Sequence, residues 1–140
     1  MSRLNIARAL LFVGLTIGVE SLWATFTHIG DPLFTLPETF GGGTTHAWYH
    51  ALQEAMGDIG TIAVLALVFF GKPPFRNTAT WWVCLILMFG YYSPFWIGIP
   101  FNSALAAPNI EAEVRHVIQA VLPIIALIIA RNEFMSDSPG

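Results

Sequence analysis

Apolar residues dominate four long stretches of this chain, and polar residues interrupt them at well-defined places. The stretches fall at about 7–26, 47–70, 78–99 and 110–130. Each is close to the roughly 20 apolar residues that a helix needs to cross the hydrocarbon core of a bilayer. The connections carry helix-ending residues: Asp31-Pro32, Pro37 and Gly41-Gly42-Gly43 in the first, Lys72-Pro73-Pro74 in the second, Pro100 and Pro108 in the third. Asn109 is placed to cap the fourth helix, with Glu111 and Glu113 in its positively polarised first turn. The pattern predicts one domain over 1–140, an all-α integral membrane four-helix bundle. Two details concern packing. Gly14 and Gly18 form a Gly-x-x-x-Gly pair that lets helices approach closely. The Gly90-Tyr91-Tyr92-Ser93-Pro94 segment should kink or loosen the third helix, because Pro94 donates no backbone hydrogen bond.

The second stretch breaks the apolar pattern in a regular way. His46, His50, Glu54 and Asp58 recur at every fourth position. A four-residue step advances about 40° around a helix, so the four side chains stay within a sector of about 120°. Two imidazoles and two carboxylates on one side of a membrane helix are costly unless they face protein or a wet cavity. With a rise of about 1.5 Å per residue, Asp58 lies about 18 Å deeper than His46, so the stripe descends like the wall of a funnel.

Composition agrees with a lipid environment. Only 11% of residues are charged and 55% are apolar, where a soluble domain carries about 25% charged residues. The net charge of −3 and the lack of a basic cluster give nucleic-acid binding no support. A single cysteine, Cys84, excludes an internal disulfide and a cysteine-based metal cluster, and its apolar surroundings read as burial. Arg3 and Arg8 ahead of an apolar run resemble a signal peptide. The run continues past Glu20 to Phe26 with no convincing cleavage site, so a retained helix is expected. All basic residues except Arg115 lie at the N-terminus, between helices two and three, or after helix four. That side should be cytoplasmic, which places both termini inside and makes the chain a multi-pass protein of the cytoplasmic membrane. The tryptophans fall near predicted helix ends, where indole rings favour the interface.

This topology gathers the embedded polar residues in the outer half of the bilayer. Glu20 and His28 approach from helix one, the His46–Asp58 stripe from helix two, and Glu113, His116 and Gln119 from helix four. Glu113 and His116 have the Glu-x-x-His spacing of carboxylate di-metal bundles, and His46 with His50 has the i, i+4 spacing of paired histidine ligands. A metal set of His46, His50, Glu54, Glu113 and His116 would suit divalent zinc, iron or manganese. A catalytic set of His50, Glu54, Asp58 and Glu20 would supply acid–base groups. Satisfied interhelical pairs that only hold the bundle together are the structural alternative.

The segment from Thr27-His28 through Asp31-Pro32 to His46-x-x-x-His50 resembles the central segment of a family of small uncharacterised four-helix membrane proteins. The resemblance covers about a quarter of the chain, and a longer glycine-rich insert before His46 departs from it. It implies that these histidines belong to a recurring site, and it implies no reaction. Three functions compete: an enzyme acting on a lipophilic small molecule, a proton-coupled carrier needing a homodimer, and a non-catalytic accessory subunit.

Overall fold

The computed structural model describes residues 1–33, 44–94, 101, 107 and 109–135, with the backbone alone for 44–46. Four main helices run along the chain: α1 (Arg3–Thr27), α2 (Thr44–Phe70), α3 (Thr78–Tyr91) and α4 (Ile110–Ile129). A 3-10 turn at Pro73–Phe75 joins α2 to α3, and a short helix α5 (Arg131–Met135) follows α4. Every element is helical among the described residues.

The starts and stops follow local chemistry. The Ser2 side chain caps α1 by accepting from the amide of Asn5, and Asn109 does the same for α4 through the amide of Ala112. Asn77 and Thr80 exchange side-chain and backbone bonds across the start of α3, forming a capping box. The end of α2 is closed by arginines. Arg76 donates to the carbonyls of Val68, Phe69 and Gly71, and Arg8 donates from Nε to Phe69 at 2.8 Å. Two guanidiniums thus satisfy carbonyls at the negative end of the helix dipole. Burial and the nearby Arg8 push the Arg76 guanidinium below its ordinary range, while Glu133 draws it back.

The helices alternate in direction. Arg8 at the start of α1 meets the end of α2, and the Trp81 indole at the start of α3 donates to the Leu127 carbonyl near the end of α4. α1 packs between α2 and α4, and α3 closes the other side of the same pair. The core is apolar, with Leu11, Leu65, Phe69, Met88, Leu127 and Phe134 fully buried. Large apolar side chains also cover the outside, among them Phe12, Trp23, Ile86, Phe89 and Ile128. A helix that is apolar all round is suited to lipid, and an exterior of this kind in water would aggregate.

The Gly-x-x-x-Gly pair is spent inside the chain. Gly14 and Gly18 are buried, and a Cβ on Gly14 would stand 3.0 Å from Cδ of Pro123. Pro123 lies within α4 and packs its ring into that gap. A homodimer through these two glycines is therefore not what they serve.

Length separates the helices. α1, α2 from Ala47, and α4 are long and apolar enough to cross a membrane, while α3 is a shorter apolar helix of 14 residues. The expected third span of 78–99 is thus described only in its first part, and residues 95–100 lie outside the described residues. α3 ends at Tyr91, within the segment expected to loosen; Tyr92 leaves the helical conformation, and Ser93 and Pro94 are helical again. The tryptophans divide as well. Trp23 and Trp82 are exposed as interface residues should be, but Trp81 is buried, and Arg131 stacks over its ring at 5.9 Å.

Candidate functional site

Asp58 is the buried member of the α2 stripe. Only 4% of its surface is exposed, and it lies on the inner face with Thr61, Leu65 and Phe69. A carboxylate there demands a donor. Tyr91, the last residue of α3, supplies it through its hydroxyl, which donates to Asp58 Oδ1. The Tyr91 ring lies against Gly57, where a Cβ would stand 3.4 Å from it, in van der Waals contact. Tyr92, the next residue, is also buried, stands edge-on to Tyr91, and hydrogen-bonds the Gln119 side chain of α4. The Gly90–Pro94 loosening, read from sequence mainly as a kink, therefore delivers two tyrosines to the polar groups.

Gln119 brings an unusual balance. It is almost fully buried against Gly18, yet its Oε1 has no hydrogen-bond partner among the described residues. Its backbone carbonyl would ordinarily accept from the residue four positions on, which is Pro123 and has no N–H. Acceptor capacity is thus concentrated at this point of the core.

His116 sits one turn above Gln119. It is half-buried and lies within electrostatic reach of Asp58 and of Glu113, as Glu54 is of Asp58. It also lines a cleft of about 230 Å³ between α1 and α4, together with Glu20, Ser21, Asn109, Glu111 and Arg115. His116 thus lines the open cleft and feels the charge of the buried Asp58. Glu113 is turned away from both, and its Oε2 accepts from the amide of Ala107 at 2.9 Å.

These placements revise the expected sites. Of the catalytic set, Asp58 faces inward as expected, but His50 and Glu54 are exposed, and Glu20 lines the cleft rather than joining Asp58. Tyr91 of α3 meets α2 at the level of Gly57 and Asp58. Metal binding gains no support among the described residues. Among the described residues no three His, Cys, Asp or Glu side chains are close enough to hold an ion. His50 packs against the Tyr49 ring, Glu54 is exposed, Glu113 bonds Ala107, and His116 faces the cleft. The His46 side chain lies outside the described residues. His28 is half-buried at the C-cap of α1.

Sequence reading did not single out Ser21, Asn109, Glu111 or Arg115 as cleft residues. The signal was present in part: Glu111 and Arg115 are four apart and form an ion pair. What it lacked was the neighbouring helix.

No protein-family model matches the chain, and neither a curated protein nor a solved structure matches it. The chain is all-helical among the described residues, and three of its helices are long and apolar enough to cross a bilayer, the character of a membrane protein.

Proposed function

We propose that this membrane protein performs acid–base chemistry on a lipophilic small molecule at a polar hollow in the outer half of the bilayer. Asp58 and Tyr91 hold a proton between α2 and α3. His116 exchanges it with the cleft, where the molecule binds. The observation that carries this reading is His116 on the wall of an open cleft, where it feels the charge of the buried Asp58–Tyr91 pair. Imidazole is suited to the task because it changes charge near neutral pH. Access from the bilayer is consistent with the exposed Val19 and Trp23 beside Glu20 on α1. The orientation with both termini cytoplasmic is supported by Arg8, Lys72, Arg76 and Arg131, which fall at one end of the bundle.

Infrared spectroscopy after a pH jump, on protein in lipid nanodiscs, tests the relay. The Asp58 carboxyl band is assigned by its loss in Asp58→Asn. In His116→Gln that band should equilibrate about a hundredfold more slowly, the low end of what a positioned acid–base group contributes. Equal rates in the two proteins would remove His116 from the pathway and the proposal with it.

A proton-coupled carrier is the second reading, favoured by the near-complete enclosure of Asp58, which a molecule in the cleft does not touch. Four helices are few for alternating access, so this version requires a homodimer. Proteoliposomes loaded with a pH-sensitive dye decide it: a monomeric particle without proton flux rules the carrier out.

A further inference from the structure

The cleft between α1 and α4 has an unbalanced charge. Glu20 lies seven residues before the end of α1, about 10 Å below the outer end of that helix. It is exposed to the cleft and forms no ion pair among the described residues. The cleft's guanidinium, Arg115, is already held by Glu111 at 2.5 Å. An ionised carboxylate on a membrane helix is expensive unless it has a partner or reaches water. The volume of about 230 Å³ exceeds a single-water hole several times over, at about 30 Å³ for each water.

We propose that Glu20 is the binding site for the ammonium group of a lipophilic amine, seated in the α1–α4 cleft with its apolar part in the bilayer beside Trp23. The Ser21 hydroxyl offers a further acceptor at the same rim. An anion is disfavoured, because Glu20 and Glu111 line the cleft and Arg115 is neutralised by Glu111. A metal ion is disfavoured because Glu20, Glu111 and His116 do not form a set able to hold one. A monocation on a flexible aliphatic stem fits the charge, the size and the lipid-facing opening. The assignment rests on the reading of this hollow as the acid–base site, and it names the substrate class of that site.

Calorimetric titration of octylamine into the full chain in phosphatidylcholine nanodiscs tests it, with empty nanodiscs and octanol as references. Saturable octylamine binding above the empty-disc background, with no matching signal from octanol, is expected. Glu20→Gln should weaken the binding by about tenfold, as expected for losing one partner of a partly desolvated charge pair. Glu20→Asp should retain most of it, and Glu133→Gln, at the other end of the bundle, all of it. Octylamine that merely partitions as into empty discs, or binds Glu20→Gln as tightly as the parent protein, overturns the proposal. The infrared relay experiment uses no amine, so the failure of one reading is distinguishable from the failure of the other.

Discussion

The Tyr91 hydroxyl donates to the Asp58 carboxylate across 33 residues of sequence, tying the end of α3 to the middle of α2. It is the direct bond that the structure supplies to Asp58, the most deeply buried acid among the described residues. Tyr91→Phe leaves the shape of the ring intact and removes the donor. The expected cost is about 1–3 kcal/mol, the range for stranding a buried polar group. Reversible unfolding in mixed detergent micelles measures it, and a stability equal to the parent protein would show that Asp58 is satisfied by other means.

Gln119 and Tyr92 form a second polar pair, in which one acceptor of Gln119 is already unsatisfied among the described residues. Gln119→Met removes that orphan oxygen together with the contact to Tyr92. Combined with Tyr92→Phe, it replaces both partners by apolar groups of similar size. The double variant should lie within about 1 kcal/mol of the parent, and Gln119→Met alone should be less stable than the double. A strictly additive cycle would mean that the two side chains do not interact.

Gly14 is a point of close approach between α1 and α4, with the Pro123 ring and Leu122 against its backbone. Gly14→Leu should separate the helices and cost about 1–3 kcal/mol by overpacking. Gly60, at which a Cβ would meet nothing within 4 Å, is the control. Gly60→Ala should be neutral to stabilising, by up to about 1 kcal/mol, through the higher helix propensity of alanine. Comparable losses at the two positions would rule out a special role for the Gly14–Pro123 contact.

Topology is accessible through cysteine chemistry, because the native Cys84 is buried. In intact cells, Asp31→Cys should react with a membrane-impermeant maleimide, while Ser2→Cys should react only after permeabilisation. The reverse pattern would invert the bundle and place the cleft on the cytoplasmic side.

Much of the architecture was legible in the sequence because it depends on local quantities. Apolar run length, the prolines at 73 and 74, the Asn109 cap and the distribution of arginines each act within a few residues, and each reappears in the helices and their ends. The four-residue spacing of His50, Glu54 and Asp58 likewise identified the face that points inward at Asp58. What only the tertiary structure decided is which residues of that face are covered. Tyr91 meets Asp58, whereas Glu54 and His50 are exposed and Glu20 faces a different neighbour, α4. The physical reason is that burial belongs to a pair of helices rather than to one. Spacing along a helix gives the direction of a side chain, but the partner that meets it depends on where another helix lies.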